Sequence, residues 1–77
     1  MKKHVQVKLF ATLARYAPPN AEDYPLKKGT TIRDLLQQLE IPENEAKLIF
    51  INGIRKTLTE KLMGGERIGI FPPVGGG

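Results

Sequence analysis

Residues 71–77 (FPPVGGG) of the 77-residue chain have the composition of a segment that enters a narrow site. No residue after Arg67 carries a charged side chain. Pro72 and Pro73 favour an extended, polyproline-like path, which stiffens the base of the segment. Glycine has no Cβ, so the last three residues could approach a ligand such as a nucleotide phosphate with their backbone. Extended at about 3.3 Å per residue, residues 72–77 span roughly 20 Å, enough to place the α-carboxylate of Gly77 in another protein's active site.

A carboxylate at the end of such a segment is a poor electrophile, and this limits the chemistry that it could undergo. ATP can activate it by forming an acyl-adenylate. A sulfur donor could then displace AMP and leave a thiocarboxylate, or an amine could displace AMP and form an amide. In both cases the chain is the substrate or carrier, and a partner enzyme binds the ATP and supplies catalysis.

The rest of the sequence shows no paired groups for catalysis of its own. It has neither Cys nor Ser, which excludes disulfides, thiolate metal sites, a Cys nucleophile and a Ser–His–Asp triad. His4 is the only histidine, so one chain cannot form a multi-histidine metal site. Glu22 and Asp23 are interpreted as a solvated loop, because no further ligands accompany them. We therefore predict no catalytic residue, no metal and no bound cofactor.

Composition and charge predict one small folded domain in the cytoplasm. The chain is 40% hydrophobic, and 12 Lys+Arg against 8 Asp+Glu give a net charge of +4. The basic residues are dispersed, which is weak grounds for a nucleic-acid partner, and we expect none. No stretch approaches the roughly 18 apolar residues of a membrane helix, and no signal peptide is recognisable, so we expect no membrane partner. One hypothesis for the basic balance is a charge-steered encounter with acidic partners, in which Lys27 and Lys28 take part.

The first half of the chain predicts two strands with a short helix between them. Apolar residues alternate over residues 5–9, which is typical of a half-buried strand. Residues 11–17 (ATLARYA) favour a helix that Pro18 stops. Residues 24–26 could form a second strand, limited to a sheet edge by Pro25.

The second half predicts the main helix and three further strands. An apolar stripe begins at Ile32 with the spacing of an amphipathic helix, Thr31 and Asp34 form a capping pattern, and Pro42 ends the run. The remaining segments are a buried strand at 47–51, a hairpin turn at 52–53, a return strand at 54–58, a turn at 64–65 and a last strand at 67–71.

One helix can cover only one face of a small sheet, so this order predicts an α+β fold with two layers. The first and last strands could pair in parallel at the centre. The arrangement resembles the β-grasp, or ubiquitin-like, fold. We expect a single domain over residues 1–71 and an extended tail over residues 72–77.

Four segments resemble the MoaD/ThiS family of ubiquitin-like sulfur carriers, and the resemblance covers essentially the whole chain. They are residues 7–11 (VKLFA) before a short helix, 31–36 (TIRDLL), 51–53 (ING) and 71–74 (FPPV) before the glycines. The last of them is the most specific. The helix after Phe10 and the Pro-Pro pair resemble the small subunits of molybdopterin synthase more than the thiamine-pathway carriers.

The resemblance implies a role for each residue of the tail. Gly77 would be adenylated with ATP and then thiocarboxylated, with Gly76 as its required neighbour in the channel. Phe10 and Phe71 match apolar positions that dock an E1-like adenylating enzyme. The tail would insert into the large subunit of molybdopterin synthase, and a sulfur donor protein is a further implied partner. The inserting residues are Pro72, Pro73, Val74 and Gly75.

Several alternatives remain open from the sequence. Phe10 and Phe71 could be core residues, and Arg55 lies near a position where the family often has an apolar docking residue. If Gly77 were an added residue, Gly76 would be the reactive end. The carrier could serve thiamine or another sulfur pathway, the chain could be a modifier conjugated to lysines, or it could be an interaction module with an incidental tail.

Overall fold

The computed structural model describes residues 3–73, which form a five-stranded sheet with one α-helix on one of its faces. The strands are β1 (Lys3–Leu9), β2 (Tyr24–Leu26), β3 (Thr30–Thr31), β4 (Leu48–Ile51), β5 (Ile54–Lys56), β6 (Lys61–Leu62) and β7 (Arg67–Phe71). The helix is α1 (Ile32–Gln38), and three 3₁₀ helices span Ala11–Tyr16, Ala21–Asp23 and Glu43–Glu45. The main sheet has the order β2-β1-β7-β4-β5, and β3 and β6 form a separate two-stranded sheet.

The first and last strands of the main sheet are parallel neighbours at its centre, as the sequence predicts. Val7 pairs with Ile68 and Leu9 with Ile70, whereas β2, β4 and β5 are antiparallel to their neighbours. The mixed sheet and its single covering helix make this an α+β fold of the β-grasp type.

The core lies between α1 and one face of the main sheet. Alternate residues of a strand point to opposite faces, so β1 and β7 contribute Val5, Val7, Ile68 and Ile70, each at most 3% exposed. The helix contributes its predicted apolar stripe, in which Ile32, Leu35 and Leu36 are fully buried. This packing leaves the opposite face of the sheet free of core residues.

The helix begins as predicted but ends earlier than Pro42. The Thr31 hydroxyl accepts a hydrogen bond from the Asp34 amide, and the Asp34 carboxylate accepts one from the Thr31 amide, both at 3.1 Å. The helix ends at Gln38, and Glu40 adopts a left-handed backbone with φ of 61°. The chain has therefore already turned before the proline, which begins the next 3₁₀ turn.

Five other segments differ from the sequence prediction. Residues 11–16 form a 3₁₀ helix, and within this six-residue connection only Leu13 is buried. The return strand ends at Lys56 rather than at residue 58, and β4 begins at Leu48. β3 and β6 were not predicted from the sequence, because two-residue strands show no alternating pattern. Within residues 3–73, no helix has the length and apolar character needed to cross a membrane.

Candidate functional site

The candidate site lies on the face of the main sheet that points away from α1. Because side chains alternate along a strand, this face receives the residues between the core positions. On β7 these are Arg67, Gly69 and Phe71, and on β4 the main contribution is Phe50. Phe10, which follows β1 directly, also lies here, and its amide donates a hydrogen bond to the Ile70 carbonyl at 3.1 Å. We call this side of the sheet the open face.

Three phenylalanines form a compact cluster on the open face. The rings of Phe10 and Phe71 are stacked, with centroids 4.2 Å apart and planes 1° from parallel. Phe50 meets Phe71 edge to face at a centroid distance of 5.7 Å. Phe10 is 38% exposed, and the other two rings are half-buried. We call these three residues the aromatic patch.

A shallow depression of about 450 Å³ lies against the aromatic patch. Gly69 lies on β7, between Lys8 of β1 and Phe50 of β4 in the register of the sheet, and a Cβ at this position would be 3.4 Å from the Phe10 ring. The absence of a side chain at Gly69 therefore keeps the depression open. An apolar side chain of a partner could enter it and lose contact with water, which is a favourable transfer.

The structure places Phe10 and Phe71 outside the core. Both rings lie across the sheet from α1, and neither belongs to the buried cluster. Of the two possibilities that the sequence left open for these residues, the core assignment is therefore wrong. Phe50 was missed, because residues 47–51 were interpreted as a wholly buried strand. Residues 48–51 are all apolar, so the sequence carried no alternation that would have found Phe50; in the structure it lies between the buried Ile49 and Ile51.

The tail leaves the sheet directly beside the aromatic patch. β7 ends at Phe71, whose carbonyl accepts a hydrogen bond of 2.9 Å from the Lys47 amide. Pro72 is half-buried and Pro73 is exposed. The direction in which the tail starts is therefore fixed by the same residue that anchors the ring stack. The predicted tail residues Val74, Gly75, Gly76 and Gly77 lie outside the described residues.

The hairpin turn at Asn52 and Gly53 also supports the site. Both residues have left-handed backbones, with φ of 53° and 83°, as the predicted tight turn requires. The Asn52 amide donates to the Arg67 carbonyl at 2.8 Å, and the Asn52 Oδ1 accepts from the Arg67 amide at 2.9 Å. This residue pair connects the turn to the start of β7. Gly53 and Arg67 both line the depression.

Arg55 lies on the open face, opposite Phe50 in the register of β4 and β5. Its side chain is exposed. The family resemblance implies an apolar docking residue near this position. The aromatic patch therefore has a charged neighbour along the β5 edge of the sheet.

A polar cluster joins the two segments that flank the end of β7. The Tyr16 hydroxyl and the Arg15 Nη2 both donate to Glu45 Oε1 at 3.2 Å. A hydrogen bond to Tyr16, together with the nearby Glu45 carboxylate, raises the pKa of Arg15 above its ordinary value. Arg15 therefore stays charged at neutral pH. The cluster holds the 3₁₀ helix after Phe10 against the segment before β4.

Solved structures similar to this chain include one from Haloferax volcanii and one from Pyrococcus furiosus. The H. volcanii HVO 2177 protein has a TM-score of 0.77 with 19% identity, over 99% of this chain and 88% of its own. The P. furiosus protein, assigned as molybdopterin converting factor subunit 1, has a TM-score of 0.65 with 27% identity, over 94% of this chain and 99% of its own.

A third similar structure is small archaeal modifier protein 1 from Methanosarcina acetivorans. It has a TM-score of 0.65 with 29% identity, over 100% of this chain and 99% of its own. No curated protein has significant sequence similarity to the chain. The family model described as ThiS family matches residues 7–77, which includes the end of β1, the other four strands of the main sheet and the tail. The chain therefore belongs to the ThiS family of ubiquitin-like proteins.

Proposed function

We propose that this protein is a sulfur carrier for the biosynthesis of molybdopterin, the pterin of molybdenum and tungsten cofactors. A partner E1-like enzyme adenylates the α-carboxylate of Gly77 with ATP and releases pyrophosphate. A sulfur donor then displaces AMP and leaves a thiocarboxylate. The large subunit of molybdopterin synthase takes up the tail and transfers the sulfur to a pterin precursor.

One observation carries this proposal, namely the position of the aromatic patch at the base of the uncharged tail. A partner that covers Phe10, Phe50 and Phe71 holds the start of the tail at Phe71. Residues 72–77 then reach roughly 20 Å from that contact at about 3.3 Å per residue. Docking and delivery of the carboxylate are thereby combined in one surface. The family membership and the similarity to the P. furiosus protein support the same assignment.

A second candidate function is modification of other proteins. The similarity to the small archaeal modifier protein of M. acetivorans favours it. The first chemical step would be the same acyl-adenylate. The amine of a lysine would replace the sulfur donor, and the product would be an isopeptide instead of a thiocarboxylate.

The two functions are separated by the fate of the activated chain. The purified protein is incubated with the adenylating enzyme, ATP and inorganic sulfide, and its intact mass is followed. The large subunit of molybdopterin synthase and its pterin precursor are then added. We expect a mass gain equal to the exchange of one oxygen for sulfur, which is lost again only when both additions are present.

The controls identify the remaining alternatives. A variant that lacks Gly76 and Gly77 keeps the docking surface and should never gain the sulfur mass. A thiocarboxylate that persists after the additions would contradict the molybdopterin assignment and indicate another sulfur pathway. Lysine-linked adducts in cell extracts, without a persistent thiocarboxylate, would favour the modifier.

A further inference from the structure

Charge is divided unevenly between the main sheet and the rest of the described chain. The five strands of the main sheet contain no Asp or Glu, and their basic residues are Lys3, Lys8, Arg55, Lys56 and Arg67. All 8 acidic residues lie instead in α1, in the 3₁₀ helices or in connecting loops. The sheet therefore presents a positive potential to a partner that approaches its open face.

Three of these cations stand around the aromatic patch. Lys8 and Arg67 line the depression, and Arg55 lies opposite Phe50. All three are exposed, and we call them the basic rim. The ion pairs that form within residues 3–73 use other cations, namely Arg15, Arg33 and Lys56. The charges of the basic rim are therefore available to a partner.

Carboxylates line two other depressions beside the basic rim, and in one of them Glu43 lies with Arg55, although Glu43 is already paired with Arg33 at 3.1 Å. Glu22, Asp23 and Glu66 line a separate depression near the start of β1, and of the basic rim only Arg67 reaches it. The Glu66 carboxylate is already bound to the backbone, because it accepts hydrogen bonds of 2.8 Å from the amides of residues 63 and 64. The field around the aromatic patch is therefore set mainly by the cations.

We propose that the adenylating enzyme meets the open face with carboxylates arranged around an apolar contact surface. This inference rests on the proposed function and adds the chemistry of the partner. The apolar centre would cover the aromatic patch, and the carboxylates would face Lys8, Arg55 and Arg67. Charges at the edge of an interface act mainly on the rate of association and on orientation, so the basic rim steers the base of the tail toward the enzyme.

We place steering at the basic rim instead of at Lys27 and Lys28, the pair that the sequence alone suggested. Those two lysines follow β2, whose last residue pairs with Lys3 at the beginning of β1. Leu9 lies six positions after Lys3 along β1, which is roughly 20 Å at about 3.3 Å per residue. Lys27 and Lys28 are therefore far from the tail, and they are exposed. They offer a control pair with the same charge in a different place.

The test compares two double variants with the same net charge. One variant combines Lys8→Glu with Arg67→Glu, and the other combines Lys27→Glu with Lys28→Glu. Each variant lowers the net charge of the chain from +4 to zero. KM for the carrier is measured by ATP–pyrophosphate exchange with the adenylating enzyme at low and high NaCl. We expect the first variant to raise KM about tenfold at low salt and to flatten its salt dependence, with kcat unchanged. The second variant should stay within about twofold of the native KM.

Each other outcome counts against the inference. Equal effects of the two variants would mean that only net charge matters, and a native salt dependence in the first variant would remove the basic rim from docking. Lys8→Gln with Arg67→Gln repeats the test if the charge reversal lowers the melting temperature. A native chain that supports no exchange with the active enzyme would instead contradict the proposed function itself.

Discussion

At the scale of single residues, the stability of the fold does not require the stacked rings of Phe10 and Phe71. Such a pair contributes about 0.5–1.5 kcal/mol beyond the area that it buries. A polar residue in place of Phe10 would leave the core on the other side of the sheet unchanged. A large ring that is 38% exposed is better explained as a surface that a partner covers.

Replacement of Phe71 by alanine tests this at the centre of the aromatic patch. Phe71 contacts both other rings, so its loss removes the stack and the edge-to-face contact together. We expect KM for adenylation to rise at least about tenfold, as for a central interface residue. Unfolding free energy, measured in urea, should fall by only about 1–2 kcal/mol.

The matched control is Ile54→Ala, because Ile54 is 61% exposed and lies outside the aromatic patch. It should leave KM unchanged. If Ile54→Ala raised KM as much as Phe71→Ala, docking would depend on exposed apolar surface in general, and the aromatic patch would have no special role.

At the scale of elements, α1 has only seven residues and depends on its first turn. A helix of this length is only marginally stable in isolation, so it depends on both its N-terminal cap and the burial of its apolar stripe. Thr31→Ala removes the hydroxyl that accepts from the Asp34 amide. We expect a loss of about 1 kcal/mol and a melting temperature lower by about 4–8 °C.

Calorimetry checks this prediction, with Thr12→Ala as the control. Thr12 is exposed in the first 3₁₀ helix and does not cap α1. Adenylation by the partner enzyme should be unaffected at temperatures where the variant is folded. Equal melting temperatures for the two variants would show that the capping box does not support the helix.

The turn between β4 and β5 combines two physical requirements in Asn52. It must adopt a left-handed backbone, and its amide oxygen must accept from the Arg67 amide. Asn52→Gly keeps the backbone geometry and loses only the hydrogen bond, at a cost of about 1 kcal/mol. Asn52→Ala loses both, and we expect about 2–3 kcal/mol in urea unfolding. Equal costs would mean that backbone strain plays no part.

At the scale of the whole molecule, the two faces of the sheet have separate tasks. The face toward α1 holds the core and hence the stability of the fold. The open face holds the aromatic patch, the basic rim and the start of the tail. Changes at the open face and in the tail should therefore alter activation without unfolding the domain. This separation is what allows mutational tests of function in so small a protein.

Much of this organisation follows from the sequence, because the relevant signals are periodic. The alternation in β1, the stripe in α1 and the Asn52-Gly53 turn predict their elements and the α+β fold. The parallel pairing of β1 and β7 was one arrangement that the order of the elements allowed, and the structure confirms it. What remained hidden depends on register between distant segments. The pairing of Arg55 with Phe50, and the position of Lys8 and Arg67 around the rings, appear only when the strands are aligned.

The exact ends of the helix and the strands could not be predicted from the sequence either. Pro42 looked like the end of the helix, yet Glu40 turns the chain earlier at the cost of a left-handed backbone. The role of Phe50 was hidden because every residue of β4 (LIFI) is apolar, and a run of apolar residues does not show which face of the sheet each side chain takes. In the structure Ile49 and Ile51 are buried and Phe50 is half-buried, which assigns Phe50 to the open face.

The most direct test of the sulfur-carrier assignment is the intact mass of the protein after co-expression with its adenylating enzyme. The chain carries a tag only at its N-terminus, and a variant without Gly76 and Gly77 is prepared in parallel. We predict that the native chain gains the mass of one sulfur in place of one oxygen. The shortened variant should keep its unmodified mass and the native melting temperature. A native chain that stays unmodified, with an enzyme proven active, would contradict the assignment as a sulfur carrier.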